Sequence, residues 1–504
     1  MQVELFHQIL IWPLRVEAPG MEKGEWMDGL EKLFQEHSPW KTISDLYETG
    51  MDAPSIQYAE FVYFHPFVQD FLFSKNAAKA IRMMQRTDVA KMHVQLKDSS
   101  HLLNVLRARL YMVRTGIILL VIELCGKHIE LMALEDLTDS VRRAYPPYWN
   151  HEGQAGHCPV EVKWLASSGQ EMVKSNYGEM ESHIKFVHEH RHPPVSRHWQ
   201  WLLEPLKNDG STVLTYSHIE DERIPSMCYF AFSDPAKLTN GDFLRLGSLG
   251  EHGDPSTLPY AALFSQDFQE KCCYDRFWDP TTPGHEWMTT RYLCTGYSFV
   301  MLGKMGPFFS DAENGALAHF RHHYFQFGLI AQLQQASLLV FSSRLAAAVT
   351  DYSESYHRAK LYDKIEQLVL DIADFTARFR FDEVSNQIQG QELFNLWYEQ
   401  LGTRKLFQQV MDETRFVQQV HADYQRDRQT KAATKLTSIG AYGVPLSLLI
   451  AIAIGISPYL APHARIYWGW ADWESWTLAL VSALCLGGAI GFILGKTVLR
   501  RSWN

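Results

Sequence analysis

The chain has 504 residues, too many for one ordinary hydrophobic core, so two or three structural units are expected. Its formal net charge of −10 argues against a general nucleic-acid binder, and no direct DNA binding is expected. Seven cysteines, odd in number and without paired CxxC spacing, fit reduced thiols better than a disulfide scaffold.

From the N-terminus, the apolar stretch 5–14 lacks a positive flank and a small-residue cleavage site, and His7 and Gln8 interrupt it. It reads as a first strand, not a signal peptide. The run 116–122 is continuously apolar, rich in β-branched residues and closed by Glu123. It is too short to span a membrane and predicts a buried strand. A helix-like segment follows at 135–145, and further strands are predicted at 160–164, 225–232 and 292–302. The stretch 239–290, rich in Gly, Pro, Asp and aromatics, predicts long loops. Residues 1–305 together read as an α/β or α+β cytoplasmic domain.

The character changes near Asp311, beyond which no proline occurs before Pro445. Leu329, Leu333, Leu338, Phe341, Leu345 and Val349 return mostly at three- and four-residue steps, which signals helix. Gln332, Gln334, Gln335 and Arg344 make 327–349 a buried bundle helix in preference to a membrane span. A last helix is predicted from about Gly390, a stalk that continues without a break into the next segment. Residues 306–437 thus form a helical bundle and stalk.

Two apolar runs close the chain, 438–457 and 476–495, each 20 residues long without a charged side chain. At a rise of ~1.5 Å per residue each covers a hydrocarbon core of ~30 Å. Because a backbone in lipid must satisfy its own hydrogen bonds, residues 438–504 are expected to form a two-helix transmembrane hairpin with a basic tail. Arg426, Arg428, Lys431 and Lys435 precede the first run, and Lys496, Arg500 and Arg501 follow the second. The loop between carries only Arg465 against Asp472 and Glu474. That bias places both termini in the cytoplasm of a multi-pass protein of the inner (cell) membrane, with the bilayer as partner. Small residues recur on one face of each run: Gly440, Gly443, Ser447, Ala451 and Gly455 in the first, Ala483, Gly487, Gly491 and Gly495 in the second. Such faces let a neighbouring backbone approach closely, which is the preferred reading, with lining of a narrow pore the alternative for the first.

A cytoplasmic α/β domain, a stalk helix entering the first span, a short outer loop, a second span and a basic tail together resemble the CorA-type two-transmembrane metal-ion transporters. The resemblance in architecture covers residues 311–504. It implies a homo-oligomer, a pentamer in that family, in which the first span lines a central pore and the cytoplasmic domain gates an ion channel or transporter. A divalent metal ion is the cofactor it implies. Where the family ends the first span with Gly-Met-Asn, this chain reads Gly455-Ile456-Ser457-Pro458. CorA-like proteins without that motif are also found as membrane effectors of prokaryotic, CRISPR-type defence systems, so the resemblance implies as an alternative a membrane-anchored sensor or effector answering a small nucleotide signal. A membrane-attached enzyme is the third alternative.

The candidate chemistry is sparse. His319 and His323 stand one helical turn apart, a spacing that allows a shared metal-ligand face. Arg378 and Arg380 precede Ser385-Asn386-Gln387, and guanidinium forks suit phosphate or nucleotide recognition as well as interhelical pairing. The histidines from His183 to His198, and the His157-Cys158 pair, match no zinc-finger spacing. Cys272-Cys273 is a vicinal pair with no identifiable base. The chain contains no P-loop, dinucleotide glycine fingerprint or GxSxG elbow, so no catalytic residue is assigned.

Overall fold

A computed structural model describes residues 1–18, 25–43, 54–73, 81–207, 214–354 and 358–460, together with Val481 and Cys485. In chain order the elements begin β1 (Gln2–Glu17), α1 (Glu25–His37), β2 (Lys41–Ile43), α2 (Pro54–Val62), α3 (Pro66–Phe73), β3 (Ile81–Gln85), β4 (Lys91–Gln95), β5 (Ser100–Val113), β6 (Ile117–Glu130) and α4 (Leu131–Val141). There follow β7 (Glu161–Leu165), β8 (Glu171–Asn176), α5 (Met180–His190), α6 (Arg197–Leu203), β9 (Thr215–His218), β10 (Ser226–Phe232), α7 (Asn240–Ser248), α8 (Ala262–Cys272), β11 (Cys273–Trp278), β12 (Thr289–Cys294) and β13 (Ser298–Lys304). The rest is helical: α9 (Ala316–His319), a π-helical turn (Phe320–Tyr324), α10 (Phe325–Glu354), α11 (Arg358–Arg378), α12 (Ile388–Gln400) and α13 (Thr403–Leu460). Compactness divides the chain into Met1–Arg344 with Leu370–Val410, and Leu345–Val369 with Met411–Asn504. The helices 316–344 and 370–410 therefore belong with the sheet.

In the first unit one 13-stranded sheet runs in the order β11-β12-β13-β10-β1-β6-β5-β4-β7-β8, with β3 and β9 added beside β5 and β1, and β2 beside β3. Among the described strand pairs only β10–β13 is parallel, and its crossover carries α7, α8, β11 and β12. The long strand β1 pairs with β6 along its length, and on its other edge with β10 through Leu10 and with β9 from Leu14. Pro13, which has no N–H to offer a ladder, falls in the gap between those two partners.

The run 117–124 is buried on both faces of its strand because both faces are covered. Ile118, Leu120, Ile122 and Leu124 join the main core with Trp26 and Phe34 of α1, Leu134 and Leu137 of α4, Trp199 of α6 and Leu244 of α7. The opposite face meets α10: Tyr111 of β5 packs on Phe325 with ring centroids 6.2 Å apart. A Cβ on Gly328 of α10 would stand 2.7 Å from the Met227 sulfur and 3.0 Å from Ile11 Cδ1, so glycine lets this helix lie directly on the sheet. Gln334 donates to the Phe379 carbonyl at 3.0 Å and Gln335 to that of Leu401 at 3.2 Å, which pairs the amide nitrogens of these two side chains, while Gln332 and the Ser337 hydroxyl are buried without a hydrogen-bond partner among the described residues.

The strands expected near residues 5, 117, 160 and 225 and the helix near 135 are β1, β6, β7, β10 and α4. Three local expectations fail. The segment 239–290 is not loop throughout but holds α7, α8 and β11, and 292–302 is two strands around the turn Thr295–Tyr297. The last helix does not run unbroken from Gly390: the chain turns at Leu401–Gly402, where Gly402 takes φ +68°, and α13 starts afresh. Among the described residues no helix is long and apolar enough to cross a membrane. The run 438–457 is helical throughout as part of α13, but many of its side chains fall outside those described. Of the run 476–495, only Val481 and Cys485 are described.

Candidate functional site

The charge that closes the apolar run 116–122 of β6 organises the helix-facing side of the sheet. Glu123 is fully buried, and its carboxylate accepts from Arg321 Nε of the π-helical turn at 2.6 Å, faces Arg107 Nε of β5 at 3.3 Å and meets His7 Nδ1 of β1 at 3.2 Å. Burial alone would raise its pKa. Arg107, Arg321 and His7 outweigh burial and hold it well below the ordinary carboxylate range. Arg107 also donates to the Arg321 carbonyl at 3.0 Å and lies over the Phe325 ring at 4.4 Å. One carboxylate thus ties three strands to a π-helical turn, a geometry often found at functional positions.

The predicted metal ligands lie beside and within this turn: His319 ends α9 and His323 belongs to the turn. His319 and His323 do meet, with ring centroids 4.9 Å apart in an edge contact. His323 Nε2 lies 3.2 Å from the Ala59 carbonyl, and Tyr63 packs against its ring at 4.4 Å. Burial pushes the His323 pKa down to about 4 and lowers that of His319, so both imidazoles are neutral near pH 7. Among the described residues no third ligand joins the pair. Glu60 of α2 takes His322 Nδ1 at 3.4 Å and Gln326 Nε2 at 2.6 Å. Gln389 of α12 donates to the Tyr292 and Tyr324 hydroxyls at 2.9 and 3.0 Å. Sheet, α2 and α12 all converge on this turn.

A second cluster lies at the end of α4. His157, at φ +55°, places Nδ1 2.8 Å from Asp139 and 3.2 Å from Glu251. The ligand atoms of all three lie within 4.8 Å of one another, close enough for one cation. The buried Asp139 is already held through its other oxygen by Arg143 at 2.5 Å and Arg142 at 3.5 Å. The hydrogen bond to Asp139 raises the His157 pKa, so the arrangement favours a proton on the ring, which a metal ion would have to displace. No spacing rule joins Asp139, His157 and Glu251, which come from three separate segments, so sequence reasoning did not find them together.

The arginines expected to bind phosphate do not converge. Arg378 pairs with Asp374 at 2.9 Å, whereas Arg380 pairs with Asp382 at 2.7 Å and lies over the Phe407 ring at 4.0 Å. Gly440, Gly443, Ser447, Ala451 and Gly455 all lie on α13, and among the described residues a Cβ on Gly440 or Gly443 would meet no atom within 4 Å. Val444, Leu448, Ile450 and Ile452 of the same stretch are exposed. Ala483, Gly487, Gly491 and Gly495 lie outside the described residues. Compared with family models, curated proteins and solved structures, the chain matches none.

Proposed function

We propose that this chain is a membrane-anchored homo-oligomer of the CorA-like kind, whose water-facing sheet domain controls a pore or channel formed by its C-terminal helices. The observation that carries this reading is α13. A single helix of 58 residues begins beside the Gly402 turn and contains, near its end, a charge-free run of 20 residues in which, among the described residues, the four large apolar side chains of Val444, Leu448, Ile450 and Ile452 are exposed. Exposed apolar surface of that extent calls for lipid or another helix as cover. The basic residues Arg426 to Lys435 before the run support an orientation with the sheet domain and both termini in the cytoplasm. The site at the π-helical turn fits the control role, because its ionic contacts join the sheet and α2 to the turn that leads into α10, and neutral hydrogen bonds from Gln389 add α12.

The replacement of Gly-Met-Asn by Gly455-Ile456-Ser457 removes the side chains on which the resemblance rests its magnesium selectivity, so the proposal leaves magnesium uptake aside. Full-length protein reconstituted into vesicles is expected to release a trapped monovalent-ion dye signal, and a chain ended after Thr437 to remain soluble without detergent. A tight vesicle preparation with the full chain inserted would turn the reading to an anchored sensor or effector. Full-length protein that stays in aqueous buffer would remove the membrane from the account altogether.

A further inference from the structure

In the first unit a cavity of about 310 Å³ opens between α7, α8, the turn before β13 and the last residue of α12. Its walls are aromatic: Tyr260, Phe264, Phe268 and Tyr297 line it, with Cys272 and Gln400 at one side. Tyr260 and Phe264 stand edge to face at 5.0 Å and remain about half exposed, at 48% and 53%. The guanidinium groups of Arg142 and Arg223 lie over the Tyr297 ring at 4.6 and 4.8 Å and hold it in place.

The polar groups around this cavity are already engaged. Gln400 donates to the Lys271 carbonyl at 2.8 Å and faces the Cys272 thiol at 3.6 Å, and Lys271 is paired with Asp267 at 2.7 Å. Ser248 donates to the Leu244 carbonyl at 2.6 Å. A charged guest would lose water and find no unpaired opposite charge, whereas a flat apolar guest would find ring faces and edges. The volume falls within the ~300–1,000 Å³ common for small-molecule sites.

We propose that this cavity is a binding site for a small, flat, uncharged aromatic compound of two or three rings. Its position gives the site a second meaning. Gln400 is the last residue before the Leu401–Gly402 turn from which α13 starts, so an occupant presses on the root of that helix. The binding itself does not depend on the membrane reading, and its test measures binding alone.

The Cys272 thiol provides a local reporter. Full-length protein in a whole-cell lysate, soluble and particulate fractions together and free of detergent, is treated with N-ethylmaleimide in the presence of increasing 2-naphthol, and alkylation of Cys272 is followed by peptide mass spectrometry. The expected result is a saturable slowing at Cys272 of at least tenfold. Phe264→Ala removes one half-exposed wall and Ser248→Trp fills the cavity; each is expected to raise the half-protecting concentration at least tenfold. Adamantan-1-ol, uncharged and of similar bulk but not flat, is expected to protect at least tenfold less well. The proposal is overturned if 2-naphthol gives no protection up to its solubility limit, if both variants protect like the parent, or if the two alcohols protect equally.

Discussion

Glu123 sits where water cannot compensate a lost partner, so its neighbours decide whether the sheet keeps its charge. Glu123→Ala leaves Arg107 buried opposite no carboxylate and is expected to cost about 3–5 kcal/mol, read by urea unfolding. Glu4→Ala, which removes a carboxylate paired with the exposed His128, is expected to cost about 0–1 kcal/mol in the same assay. Acid acts on the same site. Because the folded pKa of Glu123 lies well below its unfolded value of about 4.3, its contribution is present above that value and is lost as pH falls through the folded one. His157 works in the opposite sense: its pKa is raised, so its contribution is full below about pH 6.5 and is lost as pH rises through the folded value. Melting temperatures between pH 6 and 8.5 are expected to fall less steeply in His157→Asn than in the parent; identical slopes would remove the Asp139–His157 contact from the account. Of these residues the sequence made only a few visible. The lone Glu123 at the end of an apolar run and the one-turn spacing of His319 and His323 are local signals. The partners Arg107, Arg321 and Glu60 come from distant segments that only the sheet-to-helix packing brings together.

At the scale of elements, strong single-period patterns are legible in the sequence and mixed ones are not. β6 can be read because its first six residues, Ile117–Ile122, are buried on both faces and apolar at every position. The helices within 239–290 are hidden by Gly, Pro and Asp, although Thr239 and Asp242 form a capping box that starts α7, a local signal of a helix N-terminus. The break at Gly402 is hidden for a similar reason: a lone glycine inside a helical pattern reads as tolerated until its φ of +68° is known. That turn makes a prediction. Gly402→Ala places a side chain in the left-handed region at a cost of about 1–2 kcal/mol, although no neighbouring atom blocks the added Cβ. The loss is expected in thermal unfolding of the sheet domain; an unchanged transition would show that the α12–α13 turn relaxes freely. Beyond the turn, a rod is the mechanical requirement of the proposed control. Val417→Pro removes a backbone donor inside α13 and costs about 3 kcal/mol or more, and a Gly-Gly insertion after Val417 rotates the remainder of the helix by roughly 200°. Both are expected to abolish ion flux at equal membrane abundance, and full flux in both would make α13 a tether.

For the whole molecule, the question is what covers α13 near its end. One chain leaves Val444, Leu448, Ile450 and Ile452 exposed, and among the described residues no atom stands within 4 Å of a Cβ added at Gly440 or Gly443. Lipid and a second copy of the chain make different demands on these two sets. Large apolar side chains satisfy lipid without close approach, whereas glycines matter where backbones pack within touching distance. Leu448→Ser with Ile452→Ser is therefore expected to weaken membrane insertion, measured by carbonate extraction, with little effect on any oligomer that still inserts. Gly440→Leu with Gly443→Leu is expected to leave insertion intact and reduce oligomer mass in mild detergent, and Gly487→Leu with Gly491→Leu to do the same if the second run packs beside the first. An oligomer unchanged by both glycine pairs would assign assembly to the sheet domain and leave the apolar runs as anchors. The same experiment bears on control, because a pore built from several copies of the first run needs those copies in contact. Loss of flux together with loss of oligomer in the Gly440 and Gly443 variant, with insertion preserved, would join assembly and conduction in one helix face.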